Sequence, residues 1–204
     1  MIEAVLFDVM GVILTEGDDV QNLLIPYVGS LLSDVDPAFI RRRYIAASLG
    51  NIDGAQFWRE IGFAEEQIPA VEATYLEACF RLNPEVLPCL ESLSVSYRLA
   101  LLSNDVSAWS AFLREHHGYG AFMERAFISG DLGMRKPDPA IYTHVLREMG
   151  LEANACLFID DDPRRVEAAR ELGITGLLFD PHSIHGGYRG LRIQRFPQLG
   201  SLLT

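Results

Sequence analysis

Four short apolar segments, each ending in polar residues, constrain the fold of this chain most strongly. They are EAVLFDV at 3–9, YRLALLSN at 97–104, ACLFIDDD at 155–162 and ITGLLFD at 174–180, and AFIS at 126–129 is a shorter candidate of the same kind. Such runs are typical of strands that are buried on both faces. The segments between them carry apolar residues three and four positions apart, which is the spacing of helices. This alternation predicts an open α/β fold, Rossmann-like, with a parallel sheet covered on both faces.

The stretch between the first two strands departs from the alternation. From about residue 18 to 95 the apolar spacing is helical, and the glycine and acids at 16–19 and the Asn83–Pro84 pair bracket most of this interval. We therefore predict a core of residues 1–14 and 87–204 and a small helical cap of residues 15–86, inserted after the first strand. This cap would overhang the carboxyl ends of the strands, where ligands of open α/β sheets bind, and is expected to hinge over them.

Charge and composition narrow the classes of ligand. The 204-residue chain is 49% apolar and has a formal net charge of −11, which disfavours nucleic acid and anionic membranes because both require a basic surface. No apolar run approaches the roughly 20 residues that span a bilayer, and the N-terminus lacks the pattern of a signal peptide. We expect a cytoplasmic protein that binds small molecules, with its oligomeric state left open.

The polar residues that end the strands are the candidate chemistry. Asp8 follows the first strand, Ser103 and Asn104 end the second, and Asp160, Asp161 and Asp162 end a later one. Because the ends of parallel strands meet in one crevice, these groups are expected to lie together. A carboxylate there can serve as a nucleophile, further carboxylates suit Mg²⁺, and a hydroxyl, a backbone N–H and a lysine can hold a phosphate.

Four separated motifs give the chain a family resemblance. They are LFDVMGV at 6–12, LLSN at 101–104, RKPDPAIY at 135–142 and FIDDD at 158–162. In this order they resemble the motifs of the haloacid dehalogenase superfamily, chiefly its capped phosphatases. The stretch from GDLGMRKPDPAIYTHVL to AARELGIT is similar in particular to the epoxide-hydrolase-like and glucose-1-phosphatase-like branch. The resemblance covers nearly the whole chain and implies a hydrolase.

The resemblance assigns roles by motif. It implies that Asp8 is a nucleophile that forms an aspartyl-phosphate, that Lys136 neutralises the nucleophile and the phosphate, and that Ser103 and the Asn104 amide hold the phosphoryl oxygens. It implies a Mg²⁺ site made by Asp8, the backbone carbonyl of Met10 and Asp161, with Asp160 supporting through water. Lys136 is also the one lysine among 17 basic residues, as expected where a slender, compact charge is required.

Two positions depart from the family pattern. The first motif usually has a second acid two residues after the nucleophile, and here that position is Met10, which keeps the carbonyl ligand but loses the proton chemistry. That chemistry is worth about 10² to 10⁴ in rate. Glu16, Asp18 or Asp19 on the following segment could take over the role. The fourth motif commonly has Asn three residues past its acidic run, and here that position is Arg165.

Alternatives remain open at the level of function. One is carbon–halogen hydrolysis, as in 2-haloacid dehalogenases, which also lack the second acid but use no metal; the acidic run 160–162 argues against it. Carbon–phosphorus hydrolysis through a Schiff base is disfavoured because the cap has no lysine. The last is a pseudophosphatase that binds a phospho-ligand without turnover.

Several further residues are expected to have structural or surface roles. Asp162, followed by Pro163, is expected to cap a helix. The arginines at 41–43 are expected to form a solvated helix face, and His182 and His185 to lie in a surface loop.

Overall fold

The computed structural model describes residues 1–203 and contains one six-stranded sheet in which every neighbouring pair is parallel. The strands are β1 (Ala4–Phe7), β2 (Arg98–Ser103), β3 (Arg125–Ile128), β4 (Cys156–Asp160), β5 (Thr175–Phe179) and β6 (Leu191–Ile193), in the order β3-β2-β1-β4-β5-β6. The five predicted strands are confirmed within two residues at each end. The sixth, β6, was not predicted.

Helices flank the sheet and fill the interval between β1 and β2. They are α1 (Ile25–Leu31), α2 (Pro37–Ala47), α3 (Gly54–Ile61), α4 (Ile68–Ala78), α5 (Val86–Ser94), α6 (Ser107–His116), α7 (Ser129–Leu132), α8 (Pro139–Met149), α9 (Pro163–Glu171) and α10 (Pro197–Leu203). A π-helical turn at Val20–Leu24 leads into α1. The predicted α/β class with a parallel, Rossmann-like sheet is confirmed.

Local sequence explains where several helices begin. At α2, α8 and α9 an aspartate precedes a proline, and the aspartate accepts a hydrogen bond from the backbone N–H two residues on: Asp36 from Ala38, Asp138 from Ala140, and Asp162 from Arg164. Proline at the first helical position has no N–H to leave unpaired, so the two residues together define a helix start. The predicted capping role of Asp162 is confirmed.

Helices α1 to α4 are tied to the sheet by a short pairing of two connecting segments. The N–H of Thr15 donates to the carbonyl of Arg81 at 2.9 Å, and the N–H of Asn83 donates to the carbonyl of Ile13 at 2.9 Å. Among residues 1–203, no strand lies between β1 and β2. The division at residues 15 and 86 and the hinging of this segment stay predictions.

The aromatic residues of the helical segment share one core with α6. The ring of Trp109 on α6 lies 5.3 Å from that of Phe57, 5.6 Å from that of Trp58 and 5.5 Å from that of Tyr75. Glu72 accepts hydrogen bonds from both indole N–H groups, at 2.6 Å from Trp109 and 2.9 Å from Trp58. A continuous apolar cluster therefore joins α3 and α4 to the sheet layer.

Among residues 1–203, no helix combines the length and the apolar character that crossing a bilayer requires.

Candidate active site

The candidate site lies where the strand order reverses. The chain runs from β1 outward to β3 on one side and then from β4 outward to β6 on the other, so β1 and β4 are neighbours at the topological switch point. Asp8 directly follows β1, and Asp160 is the last residue of β4. The N–H of Asp8 donates to the carbonyl of Ile159 at 2.8 Å, which fixes the two strand ends side by side.

Lys136 is buried between two carboxylates. Its Nζ lies 2.8 Å from Asp8 Oδ1 and 2.6 Å from Asp160 Oδ2, and all three side chains are almost fully buried. Asn104 holds the lysine backbone: its Oδ1 accepts from the N–H of Lys136 at 2.8 Å, and its Nδ2 donates to the Lys136 carbonyl at 2.9 Å. This role of the Asn104 side chain was not predicted, because it depends on a contact 32 residues away in sequence.

The two oxygens of Asp8 have different surroundings. Oδ1 accepts from Lys136 and from the N–H of Val9 at 2.7 Å, whereas Oδ2 contacts Nη1 of Arg165 at 3.1 Å. Asp8 lines the cavity at this edge of the sheet. Oδ1 is therefore held from inside the protein, and the guanidinium is the partner of Oδ2.

Asp160 and Asp161 complete an acidic cluster. Carboxylate oxygens of Asp8, Asp160 and Asp161 lie within 4.8 Å of one another, close to the spacing that one Mg²⁺ with bonds of about 2.1 Å can span. Asp160 Oδ1 also accepts from the N–H of Asp162 at 2.8 Å, so both of its oxygens have partners inside the protein. Asp161 is the more exposed of the two and lines the cavity.

The buried carboxylates of the cluster hold a proton more tightly than a free carboxylate does. Burial, followed by the charge of Asp160, raises the pKa values of both Asp8 and Asp161 above their ordinary value of 3.8. Lys136 and Arg165 oppose this shift in both cases. A divalent ion at these carboxylates would oppose the shift in the same way as the two basic side chains do.

Two glycines make room for the Asp161 carboxylate. A Cβ at Gly11 or at Gly17 would collide with Asp161 Oδ2, and Gly11 also has a φ of +75°, which favours glycine. The segment that follows β1 therefore folds closely over the end of β4. This cradle and the acidic cluster fit the donor set that Mg²⁺ requires, namely hard oxygen ligands.

Ser103 lies buried at the end of β2 with an unused hydroxyl. Its Oγ has no hydrogen-bond partner among residues 1–203. A buried hydroxyl without a partner is costly, so this group is suited to a ligand oxygen. Asn104, the next residue, lines the cavity. The structure thus brings Ser103, Asn104 and the three aspartates to one edge of the sheet, as their positions at strand ends predict, and Lys136 joins them from the loop between α7 and α8.

Arg165, on the first turn of α9, enters the acidic cluster. Its Nη1 lies 3.1 Å from Asp8 Oδ2, 3.4 Å from Asp160 Oδ1 and 3.9 Å from Asp161 Oδ1. The sequence marked this position as a departure but gave no basis for the pairing, which joins residues 157 positions apart.

The cavity above these residues has a volume of about 740 Å³. Residues of the segment after β1, of the helical segment, of the loop before α8, of the loop after β5 and of α9 complete its lining; among them are Met10, Asp19, Arg41, Arg135, His182 and His185. Arg41 is partly exposed, as expected of a solvated arginine face, and it also lines the cavity and pairs with Asp18 at 3.4 Å. Asp180, which was not singled out from the sequence, accepts from the N–H of Ile184 at 2.9 Å and holds the loop at 181–185.

Comparison with known proteins identifies the family. A model of haloacid dehalogenase-like hydrolases matches residues 2–173. The chain belongs to the haloacid dehalogenase-like hydrolase family. The family and the hydrolase class expected from the four motifs are thereby confirmed. The matched range includes the strand-end residues of the site, Lys136 and Arg165.

Among curated proteins, this family member is similar to flavin mononucleotide hydrolase 1 of Arabidopsis thaliana, with 38% identity over 72 residues. That match covers 35% of this chain and 29% of the relative, so it spans less than a third of the relative's length.

Two solved structures of similar fold cover nearly the whole chain. A family enzyme from Bacteroides thetaiotaomicron in complex with magnesium and inorganic phosphate has a TM-score of 0.74 at 21% identity, covering 93% of this chain and 100% of that chain. A 2-haloacid dehalogenase from Pseudomonas syringae pv. tomato has a TM-score of 0.70 at 21% identity, covering 100% and 98%. At these identities the likeness concerns the fold and leaves the reaction open.

Proposed function

We propose that this hydrolase is a Mg²⁺-dependent phosphatase of small phosphorylated metabolites in the cytoplasm, acting through an aspartyl-phosphate on Asp8. The observation that carries the proposal is the convergence of Asp8, Asp160 and Asp161 within 4.8 Å, with Lys136 buried against the first two. The three carboxylates form a donor set for a hard cation. The lysine beside them supplies a positive charge for a phosphate.

Each residue of the site has a distinct role in the proposed reaction. Lys136 and the Val9 N–H hold Asp8 Oδ1, which orients the carboxylate so that Oδ2 can attack phosphorus. The unpartnered hydroxyl of Ser103 and the backbone N–H of Asn104 would hold phosphoryl oxygens, and Asn104 fixes the lysine backbone. Asp8, Asp161, the Met10 carbonyl and, through water, Asp160 would hold the metal. When bound, Mg²⁺ would neutralise charge on the phosphoryl oxygens.

The direct test is hydrolysis of p-nitrophenyl phosphate and of a panel of phosphometabolites, including hexose phosphates and flavin mononucleotide, with Mg²⁺ or with EDTA. We expect release of phosphate that requires Mg²⁺ and is lost in Asp8→Asn, because the amide is not a nucleophile. Asp162→Asn is the matched control, since Asp162 caps α9 and lies outside the carboxylate triad. Metal-independent release that persists in Asp8→Asn would contradict the proposal.

A second candidate, hydrolysis of 2-haloacids, has one specific observation in its favour. Arg165 and Lys136 place two cationic groups among the carboxylates without a metal, and Arg165 lines the cavity, where its guanidinium can pair with a carboxylate substrate. A 2-chloropropionate assay in EDTA separates the two reactions: halide release without phosphatase activity would favour the dehalogenase. If neither reaction occurs and no fluoroberyllate adduct forms on Asp8, the chain is a binding protein.

A further inference from the structure

We propose that the Arg165 guanidinium is an internal counter-ion that competes with Mg²⁺ for Asp8 and Asp161. Mg²⁺ then binds with high affinity only together with a phosphate that forms an ion pair with the guanidinium in place of the carboxylates. The proposal concerns the magnesium site of the proposed function and rests on it. It assigns a specific role to the residue that stands where the family commonly has Asn.

The geometry of the guanidinium is the first argument. One nitrogen, Nη1, lies within 4 Å of all three carboxylates that form the proposed metal site. A hydrated or ligated Mg²⁺ and this nitrogen would need the same oxygens, and two cations sharing them repel each other in a poorly solvated site. Metal entry therefore requires Arg165 to move.

The second argument is that both oxygens of Asp8 already have partners inside the protein. Lys136 and the Val9 N–H already occupy Oδ1, and Arg165 occupies Oδ2. Oδ2 is the oxygen of Asp8 left for a metal or for attack on phosphorus. Metal binding and attack on phosphorus by Asp8 therefore both require that the ion pair between Arg165 and Oδ2 break first.

Charge balance shows which ligand would favour that release. With all three carboxylates ionised, as they would be when they bind a metal, Lys136 and Arg165 leave one negative charge in the cluster, so a divalent ion added to this set would leave a net positive charge. A phosphate beside Asp8 would bring the compensating negative charge and a bidentate partner for the guanidinium. With Asn at 165 the metal would find two uncompensated negative charges, which match its own charge without phosphate.

Arg165 has room to make this move. Its side chain is 23% exposed and lines the cavity, whereas its backbone is fixed: the carbonyl accepts from Tyr142 Oη at 2.9 Å and the N–H donates to the Asp162 carbonyl at 3.0 Å. The guanidinium can turn from Oδ2 of Asp8 toward a phosphate attacked by that oxygen without a change in the helix. The move is a side-chain rotation.

The test is calorimetric titration of Mg²⁺ into the full chain with and without inorganic phosphate, for wild type, Arg165→Asn and the control Arg164→Asn. Arg164 is 83% exposed and pairs with Asp162, outside the triad. We expect Arg165→Asn to bind Mg²⁺ alone at least about tenfold more tightly than wild type, since removing a cation from poorly solvated carboxylates removes a large repulsion. Phosphate should tighten Mg²⁺ binding to wild type more than to Arg165→Asn, and Arg164→Asn should match wild type.

The outcomes separate this inference from the proposed function. Equal or weaker Mg²⁺ binding by Arg165→Asn, alongside Mg²⁺-dependent hydrolysis by wild type, overturns the inference and leaves the phosphatase. No Mg²⁺ binding by any variant, even with phosphate, overturns both. Thermal unfolding in EDTA and in Mg²⁺ checks that the Asn variant is folded, and Arg165→Gln serves in its place if it is not.

Discussion

At the scale of single residues, Met10 decides how a leaving group could receive its proton. Its side chain is buried and lines the cavity beside Asp8, so it forms an apolar wall where the family usually has an acid. Of the three nearby acids, Glu16 accepts a hydrogen bond from Asn22 and Asp18 pairs with Arg41. Asp19 is buried, and burial, followed by the charge of Asp18, raises its pKa to about 7. Of these three acids, Asp19 is thus the one best able to carry a proton near neutral pH.

We therefore predict that Asp19→Asn lowers kcat by about 10² to 10⁴ on alkyl phosphates, where the leaving group needs a proton, and much less on p-nitrophenyl phosphate. Steady-state kinetics on both substrates measure this difference, with Glu16→Gln as the matched control, because Glu16 accepts a hydrogen bond from Asn22 and does not shift the pKa of Asp19. Met10→Asp should raise turnover on alkyl phosphates if it restores an acid beside Asp8. Equal losses on the two substrates in Asp19→Asn would remove Asp19 from proton transfer.

Gly17 offers a test of the Asp161 cradle. A methyl group at this position would collide with Asp161 Oδ2, so Gly17→Ala should push the carboxylate out of the triad. We expect weaker Mg²⁺ binding by calorimetry with little change in the melting temperature. The control is Gly29→Ala, because a Cβ at Gly29 meets no atom within 4 Å. Unchanged Mg²⁺ affinity in Gly17→Ala would argue against Asp161 as a ligand.

At the scale of elements, the turn between β2 and α6 carries an acid at a cost in stability. Asp105 is buried; its Oδ1 accepts from the N–H of Val106 at 2.7 Å, and its Oδ2 has no partner among the described residues. Burial, followed by the charge of Asp19, raises the pKa of Asp105 well above 3.8. The folded state therefore holds this proton more tightly than the unfolded state does.

It follows that the protonated Asp105 favours folding at low pH and that this contribution is lost as pH rises from 3.8 toward the pKa of the folded state. The free energy of unfolding falls by about 1.4 kcal/mol per pH unit where the folded state binds one proton more than the unfolded state. We predict that Asp105→Asn, which cannot ionise, is more stable than wild type at pH 7 and that the difference shrinks below pH 4. Urea unfolding at a series of pH values measures it. A constant difference across this range would show that Asp105 does not titrate anomalously.

At the scale of the whole molecule, the aromatic cluster around Trp109 couples the helical segment to the sheet. The two tryptophans of the chain, Trp58 on α3 and Trp109 on α6, lie 5.6 Å apart between ring centroids. Their fluorescence reports on the contact between the two parts, whereas circular dichroism reports on all helices. We predict coincident urea transitions by the two methods, because parts that share one core unfold together.

Trp109→Ala should lower the free energy of unfolding by about 3–5 kcal/mol, as for other large buried aromatics, whereas the partly buried Phe112 on the same helix should cost less when replaced by Ala. A fluorescence transition in wild type at clearly lower urea than the circular dichroism transition would contradict the shared core.

The sequence predicted much of the fold because buried parallel strands are apolar throughout and end in polar residues, which also pointed to Asp8 and Asp160. It missed β6, since Leu191–Ile193 has three residues and only Ile193 is buried. The pairing of Arg165 with Asp8 and the hold of Asn104 on Lys136 depend on distant contacts that periodicity does not encode. The roles of the site residues in catalysis stay predictions.

The most direct test of a phosphatase working through Asp8 is mass spectrometry of the protein quenched in acid during turnover of p-nitrophenyl phosphate with Mg²⁺. The account predicts a phosphoryl group on the peptide that contains Asp8, absent when EDTA replaces Mg²⁺ and absent in Asp8→Asn. Phosphate release with no phosphoryl group on Asp8, or with the group on another residue, would contradict it.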